Sequence, residues 1–234
     1  MRCVITGASS GVGAATARSL AMPGRRFWLL ARRREQLEET VQAVRAAGAE
    51  AEAVICDVAD PEAVDRAFAG VGANLDLLVN AAALPAGTVE AADPAEIMRV
   101  VAVNLVGTML CAREAAARMR AGGRGTIVNV GSLCVRVRDG GASLYVAAKL
   151  GVAGFTDAFR KEVAADGIRV ILINPGQIAS GMVTETPEQR RDAVLREVML
   201  TPEEVAAVIR SCVELPDRVV VTELELRPRG QSYL

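Results

Sequence analysis

The chain has 234 residues, enough for one large α/β domain, and 51% of them are hydrophobic, so it can bury a sizeable core. Its 27 basic and 28 acidic residues leave a net charge of −1, which argues against an electrostatic nucleic-acid binder or a binder of anionic membranes. It has no histidine, which removes Ser-His-Asp triads, Cys-His dyads, histidine-ligated zinc and histidine general bases together.

Short apolar runs alternate with longer amphipathic ones. Arg2 to Thr6 reads as a strand that ends in a glycine-rich turn, and a helix follows from Gly11 to about Leu20. Arg26 to Ala31 is a second strand. Glu35 to Ala47 has helical spacing, closed by Gly48. Glu52 to Cys56 is a third strand. Asp60-Pro61 starts a helix, with the aspartate as cap and the proline in the first turn. Leu75 to Asn80 is a fourth strand. Asp93-Pro94 opens a long helix to about Arg120, and Gly125 to Val130 is a fifth strand. Ser143 to about Ala165 is another long helix, and Ile168 to Asn174 a sixth strand. Pro187 to Met199 looks helical, Thr201-Pro202-Glu203-Glu204 caps one more helix to about Leu215, and Val219 to Leu226 is the last strand.

Strands that alternate with helices pair in parallel through right-handed crossovers, and strands apolar throughout are buried on both faces. The expected fold is a single-domain doubly wound α/β sheet of seven parallel strands with helices on both faces. Such a sheet takes its ligand beyond the carboxyl ends of the strands. The five cysteines include no Cys-x-x-Cys pair, the usage of a reduced, cytoplasmic chain. No apolar run approaches the roughly 18 residues that span a bilayer. A strand starting at Arg2 leaves no room for a signal peptide.

The turn Thr6-Gly7-Ala8-Ser9-Ser10-Gly11-Val12-Gly13 joins strand to helix. Glycine suits a tight turn of unusual φ/ψ, and it lets the backbone approach a pyrophosphate so that helix N-terminal N–H groups can bind it. Taken alone, a glycine cluster is also compatible with a plain loop.

The spacing G-x-x-x-G-x-G resembles that of the short-chain dehydrogenase/reductase family, and the match extends along nearly the whole chain. Asp57-Val58 stands where the family binds the adenine. Asn80-Ala81 begins the counterpart of its Asn-Asn-Ala-Gly motif. Asn104 falls at its catalytic asparagine, and Ser132 follows the fifth strand. Tyr145-Val-Ala-Ala-Lys149 matches its Tyr-x-x-x-Lys signature, with the serine thirteen residues upstream. Pro175-Gly176, Ile178 and Ser180 fall where the family meets the nicotinamide. The resemblance implies a Rossmann-type oxidoreductase with Ser132, Tyr145, Lys149 and Asn104 as catalytic residues. It implies that Gly7, Ser9, Ser10, Gly11, Val12, Gly13, Arg32, Asp57, Val58, Asn80, Ala81, Tyr145, Lys149, Pro175, Gly176, Ile178 and Ser180 hold the cofactor.

The residues carry a chemistry of their own. A developing alkoxide needs a proton, and a tyrosine supplies it best if a nearby positive charge lowers its pKa. Tyr145 and Lys149 are i and i+4, on one helix face. Ser132 would donate to the carbonyl. Asn104 is a poor mid-helix residue, and by the resemblance it holds a water of a proton relay. The second strand runs into Arg32-Arg33-Arg34 with no acid before Glu35, which favours NADP(H), with Arg32 on the 2′-phosphate.

Against the family pattern, Ala81-Ala82-Ala83 replace an asparagine and a glycine, and Gly131 stands where serine is common. The segment 177–200 is a short lid. Leu133, Cys134, Ala82, Ala83, Ile178 and Met182 are the expected pocket lining. Arg136 and Arg138 read either as anion recognition or as a solvated loop. The tail from Leu215 to Pro228, with Gln231-Ser232-Tyr233, resembles that of NADP-dependent 3-hydroxy acid (serine-type) dehydrogenases. It implies a small 3-hydroxy acid or its keto partner. Met98, Val101, Leu105, Met109, Phe155 and Phe159 suit either a homodimer or homotetramer contact or packing on the sheet. Two alternatives stay open: a reductase of another carbonyl class (3-oxoacyl thioester, steroid or polyketide), and a non-catalytic dinucleotide sensor.

Overall fold

The computed structural model describes residues 1–138 and 140–231. The tail residues Ser232 and Tyr233 lie outside the described residues. Seven strands form one sheet: β1 (Arg2–Thr6), β2 (Arg26–Ala31), β3 (Glu50–Ile55), β4 (Leu77–Asn80), β5 (Gly125–Val130), β6 (Ile168–Pro175) and β7 (Glu223–Leu226). Their order is β3-β2-β1-β4-β5-β6-β7, and every pairing is parallel. The helices are α1 (Gly11–Leu20), α2 (Arg34–Ala46), α3 (Pro61–Val71), α4 (Pro94–Val101), α5 (Gly107–Gly122), the short α6 (Cys134–Val137), α7 (Ser143–Val163), α8 (Pro187–Leu195) and α9 (Pro202–Val213). The doubly wound seven-stranded sheet expected from the sequence is present.

Alternation along the strands divides the core. On β1, Cys3 and Ile5 face one layer, with Phe27, Leu29, Leu77 and Val79 and the apolar sides of α1, α2 and α9. Val4 faces the other, with Trp28, Leu30, Leu78 and Ile127, under α3 and α5. Caps set several helix starts. Asp60 accepts from Glu62 N at 3.0 Å and Asp93 from Glu96 N at 2.8 Å. Thr186–Gln189 and Thr201–Glu204 form capping boxes.

Several boundaries differ from the sequence reading, among them the start of β4, at Leu77 and not at Leu75. The long helix after Asp93 is interrupted by a π-helical turn at Ala102–Val106, centred on Asn104. The last strand starts at Glu223 and not at Val219. The carbonyl of Val219 is taken by the Arg169 guanidinium at 3.1 Å, and the first carbonyl to meet β6 is that of Thr222, which accepts from Leu172 N at 3.0 Å as well as from Arg160 at 2.7 Å. Helix α8 stops at Leu195 and not at Met199, just before Glu197 adopts a φ of 59°. The third strand gains Glu50, whose N–H reaches Arg25 O at 2.9 Å. By length and composition the run Pro94–Gly122 would suffice to cross a membrane, against the expectation of no such run. Here its Cys111, Ala112, Ala115, Ala116 and Met119 face is buried in the sheet's core, as in a core helix.

The chain winds outward from β1 through β2 to β3, then crosses to β4 on the other side of β1. That reversal opens a crevice above the carboxyl ends of β1 and β4.

Candidate active site

A cleft of about 660 Å³ occupies that crevice. The turn after β1 forms one wall. Gly7 has a φ of 66°, and a Cβ there would lie 2.7 Å from Ala81 O, so only glycine allows this turn to press on the β4 exit. Thr6 Oγ1 accepts from both Ala81 N (3.1 Å) and Ala82 N (3.2 Å), which fixes that exit. Ser10, the N-cap of α1, makes no side-chain capping bond, so the first-turn N–H groups of α1 keep their donors for an anion. Gly7, Ser9, Ser10, Gly11 and Val12 line the cleft, as do Ala81, Ala82 and Ala83. The alanine run lines the site and leaves it open. Gly13 does not line it. A Cβ there would strike Gly7 O, so this glycine serves helix-to-turn packing.

Arg32 and Arg33 line the same cleft at the end of β2. The sequence singled out Arg32. In the structure it is Arg33 whose guanidinium reaches the turn, donating to Ser9 Oγ at 3.1 Å and Ser10 Oγ at 2.7 Å. Asp57, after β3, accepts from Ala59 N at 3.0 Å and from Arg99 of α4 at 2.6 Å. Burial opposes its ionisation, but the Arg99 and Ala59 hydrogen bonds and the charges of Arg99 and Arg32 outweigh that and lower its pKa. Val58, Pro175, Gly176, Ile178 and Ser180 also line the cleft.

At the other end stand Ser132, Tyr145 and Lys149. Ser132 follows β5, and its Oγ accepts from Cys134 N at 3.2 Å and lies beside Tyr145. Tyr145 and Lys149 lie one turn apart on α7, with the ammonium 5.7 Å from the ring centroid. Lys149 is buried and donates to Val130 O at 2.8 Å. Burial lowers its pKa to about 8. Burial raises that of Tyr145, the Ser132 hydrogen bond opposing. The lysine was expected to lower the phenol. Its position over the ring, bonded to the Val130 carbonyl, leaves burial in control.

Two expected site residues lie beneath the cleft rather than on its surface. Asn80 is buried and donates to Asn129 Oδ1 at 3.0 Å and Thr108 O at 3.3 Å. Asn104 is buried in the π-turn. Its side chain donates to Leu84 O at 2.9 Å and accepts from Leu84 N at 2.7 Å. The Asn104 side chain braces the chain leaving β4, while the Asn80 amide ties β4 to β5 and α5 through its Nδ2. A π-turn at such a point is a recurrent mark of a functional site.

Leu133, Cys134, Ile178 and Met182 line the substrate end as expected, with Gln231 from the tail. Arg136 is exposed, as the solvated reading expects, and does not line the cleft. It is paired with Glu225 at 2.6 Å and Glu223 at 3.0 Å on β7. The segment 177–200 is pinned at its base, where Ala179 N meets Leu200 O and Leu200 N meets Gln177 O, each at 2.8 Å. Sequence reasoning missed Arg33, Arg99, Asn129 and Asn174. The last two carried a usable signal, a polar amide inside an otherwise apolar strand, which must find a partner when buried.

A sequence profile described as short chain dehydrogenase matches residues 2–191. The chain is 38% identical over 216 residues to the cis-4-hydroxycyclohexanecarboxylate dehydrogenase of Sinomonas cyclohexanicum, covering 88% of this chain and 86% of that one. A metagenomic short-chain oxidoreductase solved in complex with NADP superposes with a TM-score of 0.83 at 31% identity, over 97% of this chain and 96% of that one. The closed form of a serine dehydrogenase complexed with NADP+ superposes with a TM-score of 0.87 at 26% identity, over 100% and 97%.

Proposed function

From the membership of this chain in the short-chain dehydrogenase family, and so among the oxidoreductases, we propose that it uses NADP(H) to interconvert a small carbonyl compound and its secondary alcohol. The observation that carries the reading is the convergence of Ser132, Tyr145 and Lys149 at one end of a cleft whose other end presents Arg32, Arg33 and an uncapped helix N-terminus. The donor set fits the dinucleotide. The α1 N-terminus would hold the pyrophosphate, Arg32 and Arg33 the 2′-phosphate, and Asp57 and Val58 the adenine. Lys149 would hold the ribose, and Pro175, Gly176, Ile178 and Ser180 the nicotinamide. The bound cofactor supplies or receives the hydride.

Around it the chain handles the proton. The Ser132 oxygen accepts from Cys134 N and lies beside Tyr145, and with a substrate bound its hydroxyl hydrogen would turn to donate to the carbonyl oxygen. Tyr145 gives the proton that the developing alkoxide needs. Burial keeps that proton on the phenol at neutral pH, which supports the reductive direction. Lys149 is charged below about pH 8 and neutral above it. NADPH affinity, followed by cofactor fluorescence, should therefore weaken as pH rises through about 8, and Lys149→Met should flatten that dependence.

The reading extends to the substrate. A small 3-hydroxy acid or its keto partner is supported by the tail resemblance and by the name of the Sinomonas relative. The pairing of Arg136 with Glu223 and Glu225 removes one carboxylate anchor, so neutral ketones and esters belong in the same test. A homodimer or homotetramer is supported by Met98, 71% exposed on α4, and by exposed Val106 and Leu150. Phe155 and Phe159 stack on each other and pack against the core, and Leu105 packs on Gly151 of α7. The free cysteines suit a reduced cytoplasm.

The test is NADPH oxidation at 340 nm with a 3-oxo acid, a 3-oxo ester, a cyclic ketone and a 3-oxo thioester of N-acetylcysteamine. Turnover of the small acid or ketone supports the reading. Turnover of the thioester alone moves the enzyme to acyl chemistry. Tight NADPH binding with no turnover makes it a sensor.

A further inference from the structure

We propose that Asn174 is the positioning residue for Ser132, and that position 131 is glycine because the Asn174 carbonyl oxygen fills the space of a side chain there. The inference rests on the oxidoreductase reading for its activity arm only.

Where the chain leaves β5, Gly131 N donates to Ile173 O and Leu133 N to Pro175 O, each at 2.8 Å. The N–H of Ser132 lies between these two and takes no backbone partner from β6. Asn174 Oδ1 supplies the partner at 3.1 Å. Asn174 is fully buried, and its Nδ2 donates to Glu223 Oε1 at 2.7 Å. The orientation of the amide is fixed by chemistry, because the Ser132 N–H can only donate and the Glu223 carboxylate can only accept. Glu223 is anchored in turn by Arg136 at 3.0 Å. A Cβ at Gly131 would run into Asn174 Oδ1, so the glycine and the asparagine require each other. With its N–H occupied, Ser132 meets the cleft through its hydroxyl alone. A chain of bonds thus runs from the Arg136–Glu223 ion pair on β7 to the serine that faces the substrate.

A small displacement of a reacting group costs rate far more than binding. Asn174→Ala should lower kcat about 10–100-fold with NADPH affinity within about threefold of wild type. Asn174→Asp keeps the acceptor for Ser132 but sets two carboxylates face to face. Adding Glu223→Gln restores a donor opposite it, and N174D/E223Q should return kcat to within about threefold of wild type, well above N174D alone. Gly131→Ala should lose kcat as N174A does, and G131A/N174A should be close to N174A, because the tightest clash is gone and only the Leu172 Cδ1 methyl, 3.0 Å from the new Cβ, must give. A role in stability alone would move Tm and leave kcat of the folded protein unchanged.

Amide hydrogen exchange at Ser132, read by NMR on substrate-free protein, is the second readout. It should speed up in N174A and be slow in N174D/E223Q. Wild-type kcat in N174A, or N174D/E223Q no faster than N174D, would overturn the proposal. If wild type turns over no carbonyl, the oxidoreductase reading fails. The exchange rates then decide whether Asn174 holds Ser132: unchanged exchange in N174A overturns it, accelerated exchange upholds it.

Discussion

Replacing Tyr145 with phenylalanine is expected to cut kcat for carbonyl reduction by about 10²–10⁴-fold, the usual worth of a positioned general acid. NADPH affinity should stay within about threefold, since the ring and its packing remain. The size of the effect follows from the neighbours. Ser132 already spends its oxygen on Cys134 N and offers one proton, which polarises the carbonyl without being lost to it. Lys149 is held by Val130 O at 2.8 Å and sits over the tyrosine ring, 5.7 Å from its centroid, and not at its hydroxyl. Cys134 is a poor acid, because burial raises its thiol pKa despite Ser132 and Lys149. No other ionisable group with a proton to give stands beside Ser132 among the described residues lining the cleft. A rate loss below about tenfold would mean that water reaches the alkoxide and replaces the phenol. Steady-state kcat and direct NADPH titration on the same samples separate loss of chemistry from loss of binding.

The fold was legible because its strands are short and apolar and its helices carry explicit caps. Asp60-Pro61, Asp93-Pro94 and Thr201-Pro202 each mark a start that the hydrogen bonds bear out. The start of the last strand was less legible, since Val219 gives its carbonyl to Arg169, distant in sequence, and pairing with β6 begins only at Thr222. The same distinction holds in the site. Tyr145 and Lys149 share a helix, so spacing alone places them together. Asn80 and Asn104 were placed correctly along the chain but not in depth. Their partners Asn129, Thr108 and Leu84 come from other elements, and only tertiary packing shows that the amides bond beneath the cleft. The effect of Lys149 on Tyr145 was misjudged for a related reason. Sequence spacing carries no measure of burial, and burial is the first cause of the raised Tyr145 pKa.

Cofactor choice should turn on two arginines where the sequence pointed to one. Arg32 and Arg33 both lie at the mouth of the cleft, and a charge-assisted hydrogen bond contributes about 1.5–3 kcal/mol, roughly 10–150-fold in affinity. Arg33→Ala is expected to weaken NADPH about tenfold or more and to leave NADH within about threefold, because NADH has no 2′-phosphate to lose. Arg33 also donates to Ser9 and Ser10, so the small loss shared by both cofactors measures how far it steadies the turn. Arg32→Ala should act in the same direction. It also removes one charge that lowers the Asp57 pKa, while Arg99 keeps its hydrogen bond to that carboxylate. The double variant R32A/R33A should lose about 10²-fold in NADPH affinity and bind the two dinucleotides about equally. Fluorescence titration of both cofactors into the three variants reads each term separately. If R32A alone abolishes the preference, Arg33 is a clamp on the turn and the single-residue reading of the sequence was sufficient. If the ratio of the two affinities is unmoved in the double variant, the 2′-phosphate lies elsewhere and the assignment of NADP(H) falls with it.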